Sequence, residues 1–241
     1  MKRSLLALDM PIFEENWHRL RDQIRDLTPT GSDAARILPV TKYLDRDDAR
    51  QILDGGYGPL GENRADQLVE RTDPGQDPDG WHFIGRLQRN KIRDVAPRIS
   101  LFHSLDSERL ATALDSWVDV HLSAPLRVLV QINIAGESRK AGIDLVLAAD
   151  LILSWIDQFP SLRFCGLMTM APDWPSEQCR PVFRALRELR TAIQDQLPAP
   201  SAPQFEHLSM GMSGDWKVAV EEGATLIRIG RALYRSPEEE D

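Results

Sequence analysis

Short apolar runs bounded by turn residues recur along the chain at 37–41, 58–61, 81–85, 101–105, 128–133, 164–170, 206–210 and 226–230. Runs of this length read as buried strands. The second is the weakest, resting on Tyr57, Pro59 and Leu60. Between the runs the apolar positions shift to helical spacing. Asp45 is placed to cap a helix through Leu53, with Asp47 and Asp48 in its first turn and Gly55-Gly56 as its stop. Asp144 is placed to cap a longer helix in which Leu145, Ala148, Ala149, Ile152, Trp155, Ile156 and Phe159 share a face, and Pro160 ends it. Val182, Leu186, Leu189, Ile193 and Leu197 form a third stripe. Ser213 is expected to cap a helix that holds Asp215 in its first turn and stops at Gly223, and an extra helix over about 11–27 precedes the first strand.

Eight strands alternating with helices indicate an α/β fold with a parallel sheet and right-handed crossovers. The eightfold count over 241 residues favours a closed (β/α)8 TIM barrel over an open sheet. No linker divides the chain, so residues 1–241 are expected to form a single domain, with loops at 72–80 and 197–203 and a solvated acidic tail at 236–241.

Composition narrows the class. The chain is 42% hydrophobic and 27% charged, ordinary for a globular protein. A chain of this length buries roughly 70–75% of its unfolded surface without help from disulfides or metals. Its net charge of −8 excludes the electrostatic footprint of a general nucleic-acid binder. Cys165 and Cys179 suggest no disulfide framework and have no metal-ligand spacing, so small buried thiols in a reducing cytoplasm are expected. The N-terminal apolar run stops at Asp9, too short for a signal-peptide core, and no stretch approaches a membrane span. The charged helix faces suit a monomer.

In such a barrel the chemistry sits at the carboxyl ends of the strands. Lys42 follows a run that should be buried. Partial desolvation there would lower its pKa and free the amine to form a Schiff base, unless the side chain simply leaves the barrel for water. Ser209–Ser213, ahead of a helix start, reads either as a phosphate cradle completed by Gly230 or as an ordinary turn and cap. Arg228, inside an apolar strand, needs a partner. That partner is either a carboxylate such as Glu62 or Glu206, or a ligand atom that accepts a hydrogen bond. A ligand with a carbonyl, a phosphate and a ring acceptor answers all three sites. Pyridoxal 5′-phosphate (PLP) has all three, and an aldolase-like sugar phosphate has the first two.

At these residues the sequence resembles the YggS/PROSC family of pyridoxal phosphate homeostasis proteins. The resemblance rests on Leu38-Pro39-Val40-Thr41-Lys42, Gly61-Glu62-Asn63-Arg64, the stretch Trp81-His82-Phe83-Ile84-Gly85-Arg86-Leu87-Gln88-Arg89-Asn90-Lys91, and His103-Ser104-Leu105-Asp106-Ser107. Val130-Gln131-Ile132-Asn133, Gly166-Leu167-Met168-Thr169-Met170, Leu208-Ser209-Met210-Gly211-Met212-Ser213 and Ile227-Arg228-Ile229-Gly230 continue it in the same order. It implies a fold-type III PLP barrel like the N-terminal domain of alanine racemase. Lys42 matches the lysine that holds PLP as a Schiff base. Ser209, Met210, Ser213 and the Gly230-Arg231 backbone match the phosphate cradle. Arg228 matches the arginine facing the pyridine nitrogen, Asn63 and His82 match residues near the ring, and Met168 is expected to line the pocket.

The implied role is to hold PLP, with apo-enzymes that use PLP as candidate partners and without established catalysis. A racemase would need a second acid/base on the opposite face, supplied in alanine racemases with help from a second β domain that is not expected here. Tyr43, Tyr57 and Tyr234 are the only tyrosines, and Tyr43 is expected to point away from Lys42. Arg231 departs from the small or hydroxyl residue common in the family, so a hydroxyl contact to phosphate would be lost there while the backbone N–H remains. Two other readings stay open: a PLP-dependent racemase or lyase of weak activity, and a barrel that binds a phosphorylated ligand without a Schiff base.

Overall fold

The computed structural model describes residues 7–75, 78–137 and 141–235. The acidic tail expected at 236–241 and most of the apolar N-terminal run lie outside them. Helix α1 (Met10–Leu27) is followed by β1 (Arg36–Pro39), α2 (Arg46–Asp54), β2 (Leu60–Glu62), α3 (Ala65–Arg71), β3 (Trp81–Phe83), α4 (Ile92–Val95), β4 (Leu101–Leu105) and α5 (Glu108–His121). The second half runs β5 (Leu126–Asn133), β6 (Ile143–Asp144), α6 (Leu145–Gln158), β7 (Leu162–Met168), α7 (Arg180–Gln194), β8 (His207–Ser209), α8 (Trp216–Glu221) and β9 (Leu226–Ile229).

Eight strands pair in parallel in the order β1-β9-β8-β7-β5-β4-β3-β2. A parallel bridge between Val40 and Gly61 joins the two ends of that row, so the sheet closes into a (β/α)8 barrel. The strand β6 stands apart and extends the end of β5 through Ile132–Ile143 and Asn133–Asp144 pairing. It is two residues long, too short to leave a pattern in the sequence. The closure is reinforced from inside. Glu62, fully buried, is ion-paired with Arg71 and accepts from Thr41 Oγ1 at 2.8 Å and from the Asn63 N–H at 3.1 Å. Arg71 also donates to the Leu44 carbonyl, which ties α3 to the loop after β1.

The strand faces under the helices are apolar, while inside the barrel apolar side chains share the space with buried polar ones. The main core lies between the strands and the helices and includes Phe102, Val128, Val130, Phe183 and Leu208. A separate cluster of Leu101, Leu129, Cys165, Met168 and Leu226, drawn from four strands, fills the barrel interior. Both cysteines are buried.

The helix starts follow the expected caps in two cases. Asp45 accepts from the Asp48 N–H and Asp144 from the Val146 N–H, each at 2.9 Å. The third differs. Helix α8 begins only at Trp216, with Asp215 in the cap position and no side-chain cap bond. Asp215 turns its carboxylate back to the Met212 N–H at 2.6 Å, so Ser213 belongs to the preceding turn and is not the cap. Gly211 permits that turn: its φ is +91° and a Cβ there would run into Ala219. Helix α7 stops at Gln194, short of Leu197, because the prolines that follow disfavour continued helix. Likewise β2 starts after Pro59, which has no N–H to pair.

Among the described residues only a short 3-10 turn at Arg231–Leu233 follows β9. Helix α1 takes that outer place instead, packing on α8 and on this turn. Phe13 is fully buried, stacked 5.9 Å from Tyr234 and edge-on 5.2 Å from Tyr57. Asn16 donates to the Arg235 carbonyl at 2.8 Å. Phe13→Ala should therefore lower the unfolding free energy by ~3–5 kcal/mol in a urea titration, as other buried aromatic truncations do. A loss below about 1 kcal/mol would show that α1 is not part of the barrel packing.

Candidate functional site

The residues just past the strand ends enclose a cavity of about 610 Å³ at the barrel mouth. That volume is in the range of sites for small organic ligands. Lys42, Asn63, Ser213, Arg228, Gly230 and Arg231 line it. They come from the ends of β1, β2, β8 and β9, the four strands around the point where the ring closes. Lys42 is half-buried, and its Nζ sits 5.0 Å from the centre of the Tyr43 ring. Tyr43 itself lines the cavity, so the expectation that it points away from Lys42 is corrected: the cation and the ring face share the mouth. Asn63 reaches the wall because Gly85 lets the two loops touch; a Cβ at Gly85 would collide with the Asn63 backbone.

Arg228 forms the floor. It is buried, and neither Glu62 nor Glu206 is its partner: Glu62 pairs with Arg71, and Glu206 is exposed. No carboxylate among the described residues forms an ion pair with it. Its guanidinium donates from Nη1 to Ser209 Oγ at 2.7 Å and from Nη2 to the Thr169 carbonyl at 3.0 Å. Burial lowers its pKa to about 10, opposed by the nearby charge of Asp215, so it remains a cation at neutral pH. Among the described residues its guanidinium makes no other hydrogen bond, and the group lines the cavity.

Four of the residues expected at the site lie outside the cavity lining. Ser209 is fully buried one layer below, its hydroxyl taken by Arg228 and, at 2.9 Å, by His103 Nδ1. His82 is deeper still, with its Nδ1 3.0 Å from His103 Nε2. Met168 belongs to the barrel-interior cluster, and Met210 points outward into the main core. The cavity is lined instead by Met170, Met212 and Asp173 at corresponding loop positions, together with Gln131 and Ser104. Alternation along a strand tells inward from outward but not height along the barrel axis, and His82, Ser209 and Met168 sit too low to form the wall. Asp173 carried no signal in the sequence.

The interior thus holds a hydrogen-bonded column, Arg228–Ser209–His103–His82. Two neutral tautomer arrangements complete it, and both leave Ser209 accepting from Arg228. Neutral imidazoles are required. Burial holds His103 well below the usual range and, with the charges of Arg127 and Arg36, brings His82 to about 3. His207, beside the column, accepts from Arg127 at 3.0 Å and is lowered to about 4, first by burial and then by that arginine.

Comparison with known proteins gives one consistent answer. The alanine racemase N-terminal domain family matches residues 9–237. A pyridoxal phosphate homeostasis protein of Aquifex aeolicus is 36% identical over 206 residues, 85% of this chain and 88% of that protein. One from Escherichia coli K12 is 35% identical over 203 residues, 82% and 84% of the two chains. Among solved structures, PipY of Synechococcus elongatus PCC7942, with PLP bound, superposes with a TM-score of 0.76 at 30% identity, over 92% of this chain and all of that one.

The column makes the fold acid-sensitive in a defined window. In the unfolded chain each imidazole titrates near 6.5. Its contribution to stability is fully present above that pH. As pH falls below about 6.5 the unfolded state takes up protons that the fold refuses, and stability drops by ~1.4 kcal/mol per pH unit for each group until its folded pKa is reached. Histidine C–H resonances of His82, His103 and His207 should show no titration between about pH 5 and pH 8 in NMR spectra. A midpoint near 6.5 for His82 or His103 would contradict the column, and one for His207 would contradict its burial beside Arg127.

Proposed function

We propose, for a chain that belongs to the alanine racemase N-terminal domain family and to its pyridoxal phosphate homeostasis branch, that it binds PLP at the barrel mouth and acts as a holder of that cofactor. One observation carries the reading: a buried arginine with no ion-paired carboxylate among the described residues and a half-buried lysine line the same cavity. The residues fit the group. Arg228 still has donors to offer a ring nitrogen, Lys42 has an amine for an aldehyde, and Ser213 with the Gly230-Arg231 backbone borders the same space for a phosphate. A Cβ at Gly230 would project toward Tyr43 and Val40, both cavity walls, so the glycine leaves room for a ligand against the backbone.

When bound, PLP supplies an electrophilic aldehyde and an electron-accepting ring. Lys42 would supply the amine that holds the aldehyde. Arg228 would donate to the ring nitrogen and, being cationic, would disfavour its protonation, weakening the ring as an electron sink. Ser209 and the Thr169 carbonyl fix the plane of the guanidinium, and Asn63 would border the ring from the end of β2. This arrangement favours retention of a reactive aldehyde over turnover of amino acids. Release to apo-enzymes that use PLP is the matching partner role. The absence of a disulfide framework from the two-cysteine sequence fits a reducing, cytoplasmic setting, and no helix among the described residues is long and apolar enough to cross a membrane. The charged outer faces fit a monomer.

A weak racemase activity is the second reading, and Tyr43 and Asp173 on the cavity wall favour it by supplying proton-transfer groups. Solvent-deuterium exchange at the α-carbon of amino acids separates the two; a rate no higher than that of free PLP removes the enzymatic reading.

For the holder, Lys42→Ala should abolish the Schiff-base absorbance while leaving PLP bound non-covalently. Arg228→Gln removes a charge-assisted hydrogen bond of ~1.5–3 kcal/mol and should weaken binding about 10- to 100-fold in equilibrium dialysis. An unchanged band in Lys42→Ala, or wild-type affinity in Arg228→Gln, would overturn the assignment.

A further inference from the structure

The stretch 85–91 gives only Gly85 and Arg86 to the cofactor cavity. Leu87, Gln88, Arg89 and Lys91 line a second, larger cavity of about 860 Å³, which shares Asn63 and Arg86 with the first as a common wall. Arg64 before α3, Arg86, Arg89 and Lys91 after β3, and Arg109 in the first turn of α5 all converge on it. Two carboxylates line the same space. Asp66 is held by the fork of Arg64 at 3.1 and 2.6 Å. Asp106 accepts from Ser107 Oγ at 3.0 Å and lies 3.9 Å from Arg86. Lys91 reaches Asp94 at 3.4 Å. The side chains of Arg89 and Arg109 make neither an ion pair nor a hydrogen bond among the described residues. A cationic cavity on a chain of net charge −8 runs against the overall sign and concentrates anions locally.

We propose that this cavity is a polyphosphate site of nucleotide size, separate from the cofactor cavity. Planar guanidinium forks suit phosphate oxygens, and the volume is that of a small-ligand site. The lining argues against the alternatives. Its larger apolar side chains, Leu87 and Leu110, are buried, so a protein partner would find no exposed apolar anchor. No aromatic ring lines it, so single-stranded nucleic acid has nothing to stack on. The same absence of a stacking ring means that the phosphates, not a base, are recognised.

The test is calorimetric titration of the PLP-saturated protein with inorganic triphosphate and with ATP. Both should bind, with affinities within about threefold of each other. The double variant Arg89→Glu/Arg109→Glu should bind both at least about tenfold more weakly while its PLP absorbance is unchanged; Arg109→Gln serves as a milder variant if charge reversal impairs folding. Raising salt should weaken binding, as screening of exposed charges requires. Absence of binding, equal binding by the variants, binding of ATP without triphosphate, or binding that PLP abolishes would each overturn the proposal. The inference does not rest on the cofactor reading: if the chain takes up no PLP, the arginine variants decide it alone.

Discussion

The guanidinium of Arg228, at the floor of the barrel mouth, has given up most of its hydration, and among the described residues no carboxylate is ion-paired with it to compensate. Much of the interior is arranged around that fact. The Ser209 hydroxyl and the Thr169 carbonyl take two of its donors. Behind Ser209 the imidazoles of His103 and His82 continue the hydrogen bonding toward the bottom of the barrel without adding charge, since a protonated ring there would repel the arginine. Asp215 contributes long-range attraction from the start of α8 while remaining bonded to the Met212 N–H. The donors left over face the mouth, so an interior problem of electrostatics becomes a preference for a ligand with an acceptor.

Glu62 offers a contrast within the same barrel. It too is fully buried, but Arg71 neutralises it, and Thr41 and the Asn63 N–H satisfy the rest of its oxygens. That pair is complete in itself and joins β1 to β2 and α3. Two buried charges therefore have different consequences: one, internally satisfied, closes the barrel, and the other, left open on one side, prepares a site.

The strand and helix rhythm was legible because each element carries a period of its own. The run 128–133 became the core of β5, and the Asp45 and Asp144 caps appear with their bonds made. The weak second run shifted past Pro59, and β6 was invisible for want of length. Of the residues expected near the cofactor, Lys42, Asn63, Ser213, Arg228, Gly230 and Arg231 line the cavity, at or just past strand ends. Ser209, His82, Met168 and Met210 lie outside that lining, because height and facing in a tilted, staggered barrel depend on register between strands, which no single run encodes. Tyr43 was misjudged for a related reason: after β1 the chain leaves the ladder, and strand alternation no longer says where the next side chain points. The second cavity gathers residues from three separate segments, so its charge emerges only on folding.

The central claim is that Lys42 holds PLP above Arg228. Borohydride reduction of the yellow protein, followed by peptide mapping, tests it most directly. The account predicts a single reduced pyridoxyl adduct on the peptide containing Lys42. An adduct on another lysine, or none after incubation with PLP, would contradict it.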